Sequence, residues 1–133
     1  DNGPLREHFD DFHFVQSGEF VVGARWPVQV KDTCRTEAFG RATAILCEVD
    51  HPDGAFLICN VHLTTARYGL AQLRPDSPIS GRGVEAVEVR QDLRASEAFE
   101  TRSFVADAGL ETPLLAIGDF NMPTSGSLFQ QYW

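Results

Sequence analysis

Residues 114–121 read LLAIGDFN, an apolar run that ends in an aspartate and an asparagine two positions apart. The four apolar residues after Pro113 predict a strand buried on both faces. The carboxyl end of such a strand is where α/β proteins place the polar groups of their functional sites. If the strand continued to Asn121, Asp119 and Asn121 would share one side, and Gly118 would allow a backbone or a ligand to approach closely.

A second stretch, residues 56–63 with the sequence FLICNVHL, changes from apolar to polar in the same way. It is apolar on both faces until Asn60 and His62, which lie on one side of an extended chain. The sequence HPDG at residues 51–54 joins this stretch to another apolar one, residues 41–50. Such a turn between two apolar runs predicts an antiparallel hairpin.

The remaining segments alternate between strands, connections and helices. In chain order we expect short strands at 12–15 and 19–24, a polar connection at 31–40, a long loop at 64–83, a helix from Val84 that ends at Gly109, and a last helix capped by residues 124–127. Strands, a hairpin, a helix and a further strand in this order predict a mixed α/β sheet.

Composition restricts the function classes. The chain has 133 residues, 43% of them hydrophobic, and a formal net charge of −8 that is spread along its length. Sequence-independent nucleic-acid binding requires dense patches of lysine and arginine, so this balance disfavours it. A small phosphate ester held through a metal ion is compatible with it. No apolar run approaches the length of a membrane helix, so no transmembrane segment is predicted.

The three cysteines form an odd set without C-x-x-C spacing, which argues against a zinc site. Cys47 and Cys59 lie in apolar strand patterns and are predicted to be buried thiols. The pattern leaves open a disulfide from Cys34 to either of them.

Two motifs, N-x-H-L at 60–63 and G-D-F-N at 118–121, resemble strand ends of the endonuclease/exonuclease/phosphatase superfamily. Its members are metal-dependent phosphodiesterases and phosphatases related to deoxyribonuclease I, sphingomyelinases and inositol polyphosphate phosphatases. Residues 17–28 resemble a family strand that ends in S-R-x-P-I, although Gly23 and Ala24 replace the usual small-Ser pair. Arg90-Gln91 is similar to the R-x-x-Q or R-Q pattern of the family's intervening helix. The resemblance extends from about Phe9 to Trp133.

This resemblance implies an α/β fold, a partial deoxyribonuclease I-like sandwich with mixed, mainly antiparallel sheets, over residues 1–133. The family's Q-E motif, which carries a metal-binding glutamate, is expected before Asp1. Its S-D-H motif, with a second aspartate and a histidine, is expected after Trp133. We therefore expect the chain to be the central piece of a longer protein and to be inactive by itself.

The resemblance also implies residue roles in the hydrolysis of a phosphate ester. Asp119 would orient or deprotonate the attacking water, or bind the Mg²⁺ (or Mn²⁺) cofactor. Asn121 would donate its amide hydrogens to a phosphate oxygen, and His62 would donate a hydrogen bond to the phosphate or protonate the leaving group. Asn60 and Arg67 of the long loop are the other predicted substrate-binding residues. In the family, Asn60 more often has a supporting role, in which it bonds neighbouring backbone and holds the loop that follows its strand.

Other interpretations stay open at this point. His62 would also suit a hydrogen-bonded core histidine, while Asp119 and Asn121 would suit a turn. The alternative function is a non-catalytic binding or scaffold protein that retains the fold. A small α/β hydrolase with another nucleophile is disfavoured, because the sequence has no G-x-S-x-G motif and no cysteine with an evident activating neighbour.

Overall fold

The computed structural model describes residues 7–65 and 81–133, with side chains described from residue 88 onward in the second range. It shows the expected mixed α/β class, with two sheets whose strand pairs are mostly antiparallel. The elements are β1 (His13–Ser17), β2 (Phe20–Ala24), β3 (Val28–Arg35), β4 (Ala42–Val49), β5 (Phe56–His62), α1 (Gly81–Ala108), β6 (Leu114–Asp119) and α2 (Ser127–Tyr132).

The strands β1 and β2 form an antiparallel two-stranded ribbon, close to the segments predicted at 12–15 and 19–24. Ser17 pairs with Phe20, so Gly18 and Glu19 form the turn between them. Gly18 has a φ of 59°, a left-handed conformation that suits glycine. Glu19, the other turn residue, takes no part in strand pairing, so the pairing does not fix its side chain.

The predicted hairpin at the centre of the main sheet is confirmed. β4 and β5 are antiparallel, with Val49 opposite Phe56. Between them, the Gly54 amide donates to the His51 carbonyl oxygen at 2.9 Å, closing the turn. The main sheet has the strand order β3-β4-β5-β6, so this hairpin supplies its two inner strands.

The polar connection predicted at residues 31–40 is wrong, because β3 runs through to Arg35. β3 is an edge strand that pairs only with β4 in the described part of the chain. Most of its residues are exposed, so its polar side chains stay in contact with water and are not desolvated. Its pairing with β4 is irregular between Val30 and Asp32. A polar edge strand with a bulge does not show the alternation that identifies a half-buried strand.

The helix α1 connects β5 to β6, which are parallel neighbours in the sheet. The helix starts at Gly81, whereas the sequence predicted a loop to residue 83 and a helix from Val84. Glycine is unfavourable in a helix interior, but Gly81 and Gly83 lie in the first turn, so their presence does not prevent the helix from starting. Residues 66–80 of the predicted loop lie outside the described residues.

The main sheet carries an apolar cluster on each face. On one face, eight buried residues pack together with contributions from β3, β4, β5 and α1: Cys34, Ala44, Leu46, Leu57, Cys59, Val61, Leu63 and Ala98. On the other face, the ribbon packs against β4 and β5. The buried residues of this cluster are Phe20, Val22 and Ala24 of β2, Ile45, Cys47 and Val49 of β4, and Ile58 of β5. The sheet therefore lies between α1 and the β1–β2 ribbon.

The prediction that the 114–121 strand is buried on both faces is wrong for one face. Leu115 and Ile117 of β6 are 53% and 42% exposed, whereas Leu114 packs against the cluster that contains Ala98. The physical reason is the position of the ribbon, which packs on β3, β4 and β5 and leaves this face of β6 uncovered by it. An apolar run predicts a strand but does not state which of its faces another element covers.

The chain after β6 turns back into α2, as predicted, but the helix is not capped by a side chain. Gly126 is the N-cap residue, with no side-chain hydrogen bond to the first turn. Phe120 and Trp133 contact each other with 4.6 Å between ring centroids, which holds the end of β6 against α2. Within the described ranges, no helix has the length and apolar character needed to cross a membrane.

Candidate active site

The strand ends that carry His62 and Asp119 lie side by side. β5 and β6 pair in parallel, and His62 is the register partner of Asp119. Neighbouring strands are about 4.8 Å apart, and paired residues project to the same side of a sheet. Asn121 follows two residues after Asp119. The structure therefore brings together the three residues that the sequence predicted to be catalytic.

Asp119 forms a tight turn with the residue predicted to act beside it. One carboxylate oxygen, Oδ1, accepts a hydrogen bond from the Asn121 amide at 2.9 Å. The Asp119 carbonyl oxygen accepts another from the Leu63 amide at 3.0 Å, which joins the two strand ends. Asp119 is exposed, so its carboxylate is accessible to a ligand. The Asx-turn interpretation of Asp119 is correct, and it is compatible with a role in binding.

Asn121 does not continue the strand as the two-residue period had suggested. β6 ends at Asp119, and Asn121 has a φ of 50°, the left-handed conformation that asparagine tolerates better than most residues. Its Nδ2 atom donates to the Leu63 carbonyl oxygen at 2.7 Å. One of the two amide hydrogens predicted to bind phosphate is thus used to hold the end of β5.

His62 is oriented by Glu19, a residue that the sequence did not single out. The His62 Nδ1 and the Glu19 Oε1 are 3.1 Å apart. A carboxylate only accepts hydrogen bonds, so Nδ1 carries the hydrogen and Nε2 is left for a ligand. Arg41 donates to the same Oε1 at 2.9 Å and to the His62 carbonyl oxygen at 2.6 Å. These contacts hold His62 through both its ring and its backbone.

Asn60 has a structural contact on the same side of β5. Its Nδ2 donates to the Val21 carbonyl oxygen at 3.2 Å, which ties the main sheet to β2. Asn60 and His62 both contact the ribbon, so the prediction that they share one side is confirmed. The supporting contact of Asn60 is made to the ribbon and not to the loop that follows β5. Arg67, the other predicted substrate-binding residue, lies outside the described residues.

The helix α1 anchors both strand ends through two residues that the sequence did not identify. Arg94 donates to the Thr64 carbonyl oxygen at 3.2 Å and to the Asn121 carbonyl oxygen at 2.9 Å. The Glu97 side chain is fully buried and accepts hydrogen bonds from the Thr64 amide and hydroxyl at 2.8 and 2.9 Å. A buried carboxylate needs such partners, so this cluster fixes the position of Thr64.

The described residues contain no group of three histidine, cysteine, aspartate or glutamate side chains placed to hold a metal ion. Glu19 accepts hydrogen bonds from Arg41 and His62 through one oxygen, whereas Asp119 is exposed and accepts one hydrogen bond, from the Asn121 amide. Mg²⁺ binds proteins through one or two carboxylates together with waters and substrate phosphates. Asp119 therefore fits one position in the coordination shell of Mg²⁺.

The cysteines do not contribute a nucleophile to this site. All three are buried free thiols, as predicted for Cys47 and Cys59, and no disulfide involves Cys34. Burial raises the pKa of Cys47 to about 11. Burial, together with the nearby Cys34 and Cys47, raises the pKa of Cys59 to about 12. Both groups are neutral thiols near pH 7, and a thiol is a much weaker nucleophile than a thiolate.

No protein-family model, curated protein or solved structure matches this chain.

Proposed function

We propose that the chain provides part of the active site of a metal-dependent phosphoesterase of the endonuclease/exonuclease/phosphatase superfamily, with a deoxyribonuclease I-like fold. The observation that carries this proposal is the register pairing of His62 with Asp119, at the ends of parallel strands. The two motifs that resemble the family are thereby adjacent in space. The separate turn and core interpretations of these residues do not account for that coincidence.

The chemistry is attack of water on phosphorus. A phosphate ester is anionic and has a poor leaving group, so its hydrolysis needs charge neutralisation, an oriented water and help for the departing oxygen. Asp119 would hold Mg²⁺ or Mn²⁺, which supplies the charge neutralisation when bound. Through its accessible carboxylate, Asp119 would alternatively orient or deprotonate the attacking water.

The other two residues would act on the phosphate group itself. When protonated, Nε2 of His62 is directed to donate to a phosphate oxygen or to transfer its proton to the leaving oxygen, because Nδ1 is held by Glu19. Asn121 retains one amide hydrogen beyond its bond to Leu63, and that hydrogen would donate to the phosphate. Arg41 and Arg94 would position these groups through backbone contacts.

The proposal is tested by assaying the full-length natural protein on bis(p-nitrophenyl) phosphate and p-nitrophenyl phosphate. We expect release of p-nitrophenol with added Mg²⁺ or Mn²⁺, and loss of release with excess EDTA that is restored by Mg²⁺. A correctly folded full-length protein that cleaves neither ester, nor RNA, DNA, sphingomyelin or inositol phosphates, would overturn the proposal. That result would favour the non-catalytic binding protein.

The pairing of Glu19 with His62 gives a second prediction. Glu19→Gln should lower kcat by about tenfold, because it removes one charge-assisted hydrogen bond to the imidazole. The same substitution should have almost no further effect in a protein that already carries His62→Ala, since Glu19 acts through the histidine. The measurement is kcat for the two single variants, the double variant and the unchanged protein.

Glu111→Gln is the matched control, because Glu111 is exposed and precedes β6, at the opposite end of that strand from Asp119. It should leave kcat unchanged, and thermal unfolding should confirm that every variant is folded. If the effects of Glu19→Gln and His62→Ala on log kcat simply add, Glu19 does not act through His62.

A further inference from the structure

A cleft lies next to the His62–Glu19 pair, between the turn of the ribbon and the adjoining ends of β3 and β4. Its volume is about 330 Å³, and its lining includes Ser17, Glu19, Phe20, Thr33, Arg35 and Arg41. Small-molecule sites in proteins have volumes of about 300–1,000 Å³, so the cleft has room for a small polar group and part of the molecule that carries it.

The two arginines of the cleft have different surroundings. Arg41 is 31% exposed and forms an ion pair with Glu19 at 2.9 Å, so the charges of these two residues compensate each other. Arg35 is exposed, and its side chain has no hydrogen bond or ion pair with another residue in the ranges 7–65 and 81–133. Arg41 also forms an ion pair with the buried Glu97 at 3.7 Å, so among the described residues Arg35 is the lining cation that is not neutralised by an ion pair.

The cleft adjoins the candidate active site through Glu19. The Glu19 carboxylate lines the cleft, and its Oε1 contacts the His62 Nδ1 at 3.1 Å. A group bound in the cleft would therefore lie across the Glu19–His62 pair from a phosphate bound at Nε2 of His62. Arg35 offers a planar set of donors that matches the oxygens of a phosphate, and the hydroxyls of Ser17 and Thr33 add two further donors.

We propose that this cleft binds a second phosphate group of the substrate, on the other side of the Glu19–His62 pair from the phosphate that is hydrolysed. The inference rests on the proposed function and narrows it to phosphate esters that carry a further terminal phosphate on the same molecule. Arg35 is the residue that recognises this group. Arg41 instead holds Glu19 in place, because its guanidinium is already bonded to Glu19 and to the His62 carbonyl oxygen.

The binding test does not depend on catalysis. Inorganic phosphate is titrated into the full-length natural protein and followed by amide chemical shifts of Ser17, Gly18 and Thr33. Arg35→Ala should weaken the phosphate affinity reported by these amides by about tenfold or more, and Arg35→Lys should weaken it less. Arg102→Ala, which removes an exposed arginine from α1, is the matched control and should leave the affinity unchanged. Unshifted amides, or equal affinities in all variants, would overturn the proposal.

The kinetic test uses thymidine 5′-(p-nitrophenyl phosphate) with and without a 3′-phosphate. We expect kcat/KM to be about tenfold higher for the 3′-phosphorylated ester, and the ratio to fall towards one in Arg35→Ala but not in Arg102→Ala. Equal kcat/KM values for the two esters in the unchanged protein would overturn the second-phosphate site and leave the phosphoesterase proposal standing. If neither ester nor any other phosphate ester is cleaved, the proposed function fails. The titration with inorganic phosphate then shows by itself whether the cleft is a phosphate site that depends on Arg35.

Discussion

Asp119→Asn is expected to lower kcat of the full-length natural protein by a factor on the order of 10² or more, with a much smaller change in KM. Its carboxylate charge serves the metal ion or the attacking water, and both uses are strongest in the transition state. Asparagine is the informative replacement, because its carbonyl oxygen can still accept the hydrogen bond from the Asn121 amide. The variant thus removes the charge and keeps the turn. The measurements are kcat and KM at saturating Mg²⁺.

Asp107→Asn is the matched control, since Asp107 is an exposed carboxylate on α1. It should leave both kcat and KM unchanged. Thermal unfolding of the two variants should follow that of the unchanged protein. Full turnover by a folded Asp119→Asn variant would show that the charge has no catalytic function, and the binding or scaffold interpretation would then replace the enzymatic one.

The parts of the fold that could be predicted from sequence are those with strong local signals. The central hairpin followed from an HPDG turn between two apolar runs, and it is confirmed by the pairing of Val49 with Phe56. The position of the candidate site followed from polar residues at the ends of two apolar strands. Asn60, His62 and Asp119 interrupt apolar patterns that would otherwise continue, and an interruption of this kind is visible without a structure.

The errors in the predicted fold concern residues whose sequence patterns are weak or ambiguous. β3 was missed because an edge strand has only one partner, so polar residues such as Lys31 and Asp32 can face solvent throughout it. The exposed face of β6 was missed because Leu115 and Ile117 look like core residues in sequence. Their exposure depends on where the ribbon packs, and that placement is a property of the assembled structure.

The residues around the predicted site were missed for a different reason. Glu19 is 43 positions from His62, and Glu97 is 33 positions from Thr64. Such contacts follow from strand order and helix packing, which bring distant segments together. A glutamate in a turn and a glutamate in a helix are both common surface residues, so neither has a local signal. The signal for Glu97 lies in the topology, because β5 and β6 are parallel neighbours and α1 must cross between them.

Gly118→Ala is expected to destabilise the protein on the order of 4 kcal/mol or more, a loss comparable with the whole stability of many domains. Gly118 has a φ of 138°, a conformation that residues with a side chain rarely adopt. A β-carbon at this position would overlap the Val61 carbonyl oxygen and lie 2.7 Å from the Val61 nitrogen. These are backbone atoms of the paired strand, so they cannot move aside as a flexible side chain would. The close approach predicted for Gly118 is therefore confirmed, and the partner is the backbone of β5.

Gly109→Ala is the matched control, because a β-carbon there would lie 3.5 Å from the nearest atoms, which is an ordinary contact. It should change the free energy of unfolding by less than about 1 kcal/mol. Urea denaturation of both variants, followed by circular dichroism, measures the difference. Because the pair Val61 and Gly118 directly precedes the pair His62 and Asp119, forcing the strands apart at Gly118 should also separate the candidate catalytic residues. A Gly118→Ala protein as stable as Gly109→Ala would mean that β5 and β6 do not approach each other at this point, and the geometry proposed for the site would fail with it.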